Sequence, residues 1–134
     1  MATRPTRVLN NSAIETRTVK AASAVTVNLA VKFDGEDVLN AGSGERANAI
    51  ALETGAAGVE VQIYNLNGGG TVPVLVGTGG ATAGAFATVV ADGLTDITFG
   101  GGTTVKYAVG VFDQTGVAGD IVGLKVSQVV GVTA

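Results

Sequence analysis

Glycine interrupts this chain at short intervals, 21 times in 134 residues, against only 2 prolines. A glycine inside a helix costs about 1 kcal/mol relative to alanine, so a chain punctuated this often sustains few helical turns. Short strands suit it better, because glycine supplies the positive φ that tight turns demand. The residues between the glycines agree. Hydrophobic residues make up 46% of the chain, drawn mainly from Ala and Val, with aromatics at only 4%. Valine and threonine fit a pleated, half-buried surface better than a helix. At this length one domain buries roughly two thirds of its unfolded surface and needs neither disulfide nor metal to stay folded.

The same composition closes much of chemistry. With no Cys and no His, disulfides, a cysteine nucleophile, thiolate metal sites and the commonest general base and metal ligand are all absent. Ser12, Ser23, Ser43 and Ser127 lie in no nucleophile elbow, and without histidine no conventional triad assembles. A Ser-Lys pair remains formally open, but Lys106 and Lys125 read as solvated strand residues. A hydrolase working with carboxylates alone is a third possibility. It is weakened by a shortage of the aromatic residues that line substrate clefts, here Tyr64, Tyr107 and four Phe. The expectation is a protein that is not an enzyme and carries no cofactor.

No apolar run reaches the roughly 18 residues of a membrane span, so no membrane partner is expected. Residues 1–17 lack the continuous apolar core of a secretory signal, which favours cytoplasmic synthesis. The formal net charge of −3 hides an asymmetry. Arg4, Arg7, Arg17 and Lys20 face only Glu15 in residues 1–20, whereas the remainder holds four bases and ten acids. A basic arm therefore precedes an acidic body. Four cations without an interleaved aromatic make a poor nucleic-acid footprint, and an acidic protein neighbour suits the arm better than nucleic acid does.

Residues 1–20, with Pro5, Asn10 and Asn11, follow neither strand nor helix periodicity and read as an extended arm; residues 21–134 read as a β-rich body. From Ala24, the residues Val25, Val27, Leu29, Val31 and Phe33 alternate with polar or small ones, which predicts the clearest strand of the chain. Turns follow at 34–37 and 41–45. The segment 47–53 is too short to decide between helix and strand. Strands are predicted around 59–64, then 71–76 with Pro73 implying an edge position, then on either side of a turn at Asp92 and Gly93. Val105, Tyr107, Val109 and Val111 share one face of another, and Ile121 to Val130 form the last. These readings predict an all-β fold, a compact small β-barrel or β-sandwich of about eight or nine short strands with an extended N-terminal arm.

Three local patterns invite a functional reading. The loop GTGGATAG at 77–84 has the glycines of a phosphate cradle but no Gly-Lys-Ser/Thr ending and no following helix. Asp34, Glu36 and Asp37 are the ligand type for a hard cation, but their spacing matches no EF-hand, and an acidic turn explains them. The third is an echo: Glu53 then TGAAG then Glu60, and Asp113, Gln114, then TGVAG then Asp120. An internal duplication explains the echo, and so does independent reuse of a good turn.

The run from Ala49 to Val126 resembles the small capsid cement, or head decoration, proteins of tailed bacteriophages. The matching words are Ala51-Leu52-Glu53, Gly55 to Gly58, Val59-Glu60-Val61, Ala83-Gly84-Ala85, Gly110-Val111-Phe112-Asp113 and Gly119-Asp120-Ile121-Val122. Residues 1–46 match less closely, and 94–107 are richer in Thr and Gly than the family pattern. The resemblance implies a capsid decoration protein on the outer surface of the virion, binding the major capsid protein and stabilising the mature head, and assembling as a homo-trimer. In that setting the arm is the expected clamp: Val8, Leu9 and Ile14 buried against the shell, with Arg4, Arg7, Arg17 and Lys20 pairing to acidic groups at the rim. The alternative is a phage fibre or adhesin-like structural domain that binds a host surface.

Overall fold

The computed structural model describes residues 16–67 and 69–133. These residues form ten strands and no helix: β1 Thr16–Lys20, β2 Ala30–Asp34, β3 Asp37–Asn40, β4 Ala49–Ala51, β5 Glu60–Asn65, β6 Thr71–Leu75, β7 Phe86–Val90, β8 Gly93–Ile97, β9 Val105–Phe112 and β10 Ile121–Val132. They make two five-stranded antiparallel sheets, ordered β1-β5-β4-β2-β3 and β6-β10-β9-β7-β8. The architecture is all-β and sandwich-like. Each sheet curls until its two edge strands touch at one parallel bridge, Ala21 with Val38 in the first and Val76 with Leu94 in the second, and neither closes into a barrel.

The two sheet orders are the same order written twice: β1 to β5 correspond one by one to β6 to β10. The correspondence extends to register. Val19 lies opposite Val61 as Val74 lies opposite Val122. Val31 lies opposite Ala49 as Ala87 lies opposite Gly110, and Ala51 opposite Ile63 as Phe112 opposite Leu124. A one-residue slip would turn every inward side chain outward, so independent folding of two unrelated halves does not produce this agreement. The echo is the visible remnant of an internal duplication.

Packing follows from the pattern of inward positions. In the first repeat Val19, Ala21, Val25, Val31, Val38, Ala49, Ala51, Val61 and Ile63 form a core of their own. Their counterparts in the second repeat, Val74, Val76, Ala81, Ala87, Leu94, Phe112, Val122 and Leu124, belong to a larger cluster. That cluster also takes in Ala30, Ile50 and Tyr64, which alternate with the first repeat's own core residues along β2, β4 and β5. The middle of the first sheet, around β4, is therefore buried on both faces, one against its own core and one against the second repeat. This is why β4 reads Ala-Ile-Ala, fully buried, and shows no period of 2 in the sequence.

Several sequence expectations are corrected. The continuous strand from Ala24 to Phe33 is instead a bridge, a turn and a strand. Val25 bridges Gly55, Leu29 N–H donates to Thr26 O at 3.2 Å, Asn28 takes φ 70°, and the ladder begins only at Ala30. The turn preserves the parity of Val25 and Val31, so the alternation persists through a segment that is not a strand, and Val27 is left 37% exposed. The strand count is ten because β1 and β3 carry too few apolar residues to announce themselves. Along β9 the expected face is only partly inward: Val109 is buried and Val105 is 53% exposed, while Ala108, Gly110 and Phe112 are buried. Pro73 sits on the edge strand β6, as a missing N–H requires.

Candidate docking surface

In each repeat two connections are zipped together into one loop pair. In the first, the β1–β2 connection meets the β4–β5 connection: Val25 and Gly55 exchange N–H to O bonds of 2.9 and 3.1 Å, Ala21 N–H donates to Val59 O and Gly58 N–H to Ala21 O. The second repeat repeats this with Ala81 and Gly116 at 2.9 and 3.0 Å, Val76 to Asp120 O and Gly119 to Val76 O. The threonine of each TGxAG word accepts from the opposing loop, Thr54 Oγ1 from Val27 N–H at 3.0 Å and Thr115 Oγ1 from Ala83 N–H at 3.1 Å. Gly58 and Gly119 take φ 85° and 97°, a region side chains disfavour. A Cβ on Gly116 would sit 2.9 Å from Val122 Cγ1, and one on Gly55 would collide with Val61. Thr and the two glycines are thus dictated by the cage. The alanines at 57 and 118 are exposed and are not.

Within their own segments these loops are short of charged residues, although the second pair carries the carboxylates of Asp92, Asp96 and Asp120, which accept from the N–H groups of Thr78, Thr82 and Val117. No Lys, Arg, Asp or Glu occurs in residues 21–31, 54–59, 61–91 or 114–119. Large apolar side chains nevertheless face solvent there: Val27 is 37% exposed, Val59 49%, Val117 70% and Ile121 50%. The two loop pairs also adjoin. Leu75 N–H donates to Asn28 O at 3.0 Å, linking β6 to the first repeat's loop, and Leu75 lies opposite Ile121 in the β6–β10 ladder.

Of the residues expected to engage a partner, Arg4, Arg7, Val8, Leu9 and Ile14 lie outside the described residues. Arg17 and Lys20, read from the sequence as the end of the arm, stand on strand β1. The Arg17 guanidinium lies 4.7 Å from the centre of the Phe33 ring, and Lys20 is opposite Glu60. Both line a shallow groove with Glu36 and Asp37. The structure therefore groups these two cations with carboxylates, and sets Lys20 and Glu60 at the base of the first loop pair, next to the Ala21–Val59 bond. The loops themselves were flagged in the sequence by the TGxAG echo and, for 77–84, by the glycines of a phosphate cradle, with nothing to say whether they touch a partner.

Two other sequence candidates gain a structural account. The loop at 77–84 has its amides already capped by carboxylates: Asp92 accepts from Thr78 N–H at 2.9 Å and Oγ1 at 2.7 Å, and Asp96 accepts from Thr82 N–H at 2.8 Å and Oγ1 at 2.6 Å. A phosphate there would meet negative charge. The Thr78 backbone N–H, then its hydroxyl, hold the Asp92 carboxyl below its ordinary range, since hydrogen bonds to a carboxylate favour the ionised form. Glu45 is likewise lowered, first by Lys32 at 2.8 Å and then by the Gly42 N–H. Among the described residues, no three or more His, Cys, Asp or Glu side chains converge as metal ligands do, and Asp34, Glu36 and Asp37 border the β2–β3 turn.

No protein-family model matches the chain, and no curated protein matches it. Among solved structures, the N base of the head fiber protein gp8.5 from bacteriophage phi29 has a similar fold. The TM-score is 0.65 over 84% of this chain and 92% of that one, at 19% sequence identity. The likeness at that identity is one of fold: this chain shares its β architecture with the base of a phage head fiber.

Proposed function

We propose that this protein is a structural component of a phage virion that binds the outside of the head shell and reinforces it, its partner being the major capsid protein. The observation that carries the reading is the fold shared with a head fiber base. It is supported by a repeated β-body whose loops expose Val27, Val59 and Val117 beside the strand residue Ile121, which suits binding rather than turnover. The chain acts without catalysis or cofactor, and a homo-trimer is the assembly that the decoration reading favours. Because the similar structure is a fiber base, a second reading has a specific observation behind it: the chain is the shell-attached base of a fiber whose distal part reaches a host surface.

The test is co-sedimentation of the purified chain with mature shells that lack it, counting copies bound per capsid subunit at saturation. A fixed ratio is expected on both readings. Binding of the isolated chain to host cells, with no binding to shells, sinks the head-surface proposal in both forms.

A further inference from the structure

We propose that the two ends of the molecule carry a matched stop, Arg17 at one and Lys125 at the other, which keeps one copy of this chain from stacking head to tail on another through the contact that joins the two repeats inside each copy. The inference goes beyond the head-surface reading and holds whatever the protein binds.

The inter-repeat contact supplies the template. Each curled sheet has a mouth at the end where its first strand begins, β1 or β6, and the first repeat plugs the mouth of the second. Its outward row of Ala30, Ile50 and Tyr64 lies in one buried cluster with Val72 and Val89 on the inner face of the second sheet, and Gly44 N–H donates to Val89 O at 3.0 Å. Val72 is 1% exposed and Val89 3%. The Tyr64 hydroxyl reaches Gly69 O, just before β6, which places Tyr64 at the Val72 side of the mouth.

Register identifies the same positions at the two free ends. Arg17 lies opposite Ile63 as Val72 lies opposite Leu124, and Phe33 opposite Val38 as Val89 opposite Leu94. The mouth of the first repeat therefore holds a cation where the second holds valine, and that guanidinium is laid over a Phe33 ring left 37% exposed. On the outward row of the second sheet, Phe86 lies opposite Val111 as Ala30 opposite Ile50, and Lys125 opposite Val111 as Tyr64 opposite Ile50. Phe99 rests against Phe86, ring centroids 5.4 Å apart, and takes up part of that row. Phe86 and Val111 are nevertheless only half-buried, so an apolar counterpart of the plug stands open, with exposed Lys125 in the place of Tyr64. A second copy seated by the inter-repeat geometry brings its Lys125 to the side of the mouth where Arg17 stands. Like charges driven together in a desolvated contact reject a partner that shape alone would admit. Polar end faces keep a repeat array finite and soluble, whereas a head-to-tail contact that does not close extends into a fibre.

The experiment gives each end the residue that its counterpart carries. Arg17→Val with Lys125→Tyr is followed by sedimentation velocity over a concentration series beside the unmodified chain, with thermal midpoints to establish folding. The unmodified chain is expected to hold one species across the series. The double variant is expected to form a ladder of larger species, its self-association tighter by about 10-fold or more. Adding Val111→Lys, in the middle of the plugging row, is expected to return it to the behaviour of the unmodified chain. Arg17→Glu alone is a second route, because it sets an acid against Lys125; its association is expected at low salt and is lost as salt rises. If the double variant and Arg17→Glu both sediment as the unmodified chain does, the stop is overturned. Association that survives Val111→Lys overturns the head-to-tail geometry, and association of Arg17→Glu that ignores salt overturns the charge pairing. A concentration-dependent ladder in the unmodified chain overturns the proposal outright.

Discussion

The two repeats have the same register and different interiors. Where the first packs Val31, Ala49 and Ala51 side by side on its inner face, the second packs Ala87, Gly110 and Phe112. The large ring of Phe112 is accommodated because its neighbours have shrunk. Gly110 lies so close to the carbonyl of Lys125 that a Cβ would collide with it, although its counterpart is an alanine. Volume is exchanged among adjacent residues while the total is roughly kept, which is the change a packed core tolerates. The lesson is that strand order and register are held by the direction each residue faces and by the loop cages, and that residue identity in the core is free to drift provided neighbours drift with it.

The largest test of this comparison is Phe112→Ala, which gives the second repeat the residue that the first carries at Ala51. If the repeats had interchangeable cores the cost would be small. With Ala87 and Gly110 already reduced, the deletion leaves a cavity and is expected to cost about 3–5 kcal/mol in urea unfolding. A loss under about 1 kcal/mol would show that the second repeat repacks freely. The next test is of sameness. Thr54→Val and Thr115→Val each remove one hydroxyl from equivalent cages, and each is expected to cost about 1 kcal/mol. Costs that differ by more than about 1 kcal/mol would mean that the cages are equivalent in shape but not in energy.

The smallest effect concerns a latch. Asp92 ties the β7–β8 turn to Thr78, while the first repeat has Ser23 and Glu36 at the corresponding positions, with Glu36 lining the open groove. Because the folded-state pKa of Asp92 is lowered, its contribution is present above the unfolded pKa and disappears as pH falls through the folded value. The thermal midpoint of the unmodified chain is therefore expected to drop more steeply on acidification below about pH 4, the ordinary aspartate range, than that of Asp92→Asn. Parallel pH profiles would remove the latch.

Much of the fold was legible in the sequence because glycine turns and valine alternation are local signals. The hairpin at Asp92 and Gly93, the edge placement of Pro73 and the long last strand all follow from them. What was hidden was hidden for physical reasons. The Asn28 turn keeps the parity of the valines on either side, so it passes for strand. β4 has no polar face because both of its faces are covered. The duplication survives in only a few identical residues, since a cage needs its threonine and glycines while a core needs only size and direction. The shortage of charged residues within the loop segments was legible, but only the hydrogen bonds between distant segments bring the two halves of each pair together and set Asp92, Asp96 and Asp120 against the second. The arm's Arg4, Arg7, Val8, Leu9 and Ile14 lie outside the described residues, and Arg17 and Lys20 stand on a strand beside acids.

Hydrogen bonds tie the repeats to each other. The Tyr64 hydroxyl donates to Gly69 O at 2.6 Å across the linker, Leu75 N–H is held by Asn28 O, and Gln128 reaches back to donate to Ala47 O at 2.7 Å. The apolar cluster that spans the same junction couples the halves further: loss of the second repeat would bare Ala30, Ile50 and Tyr64 to water, so the first half is not a self-sufficient fragment and the two are expected to unfold as one cooperative unit.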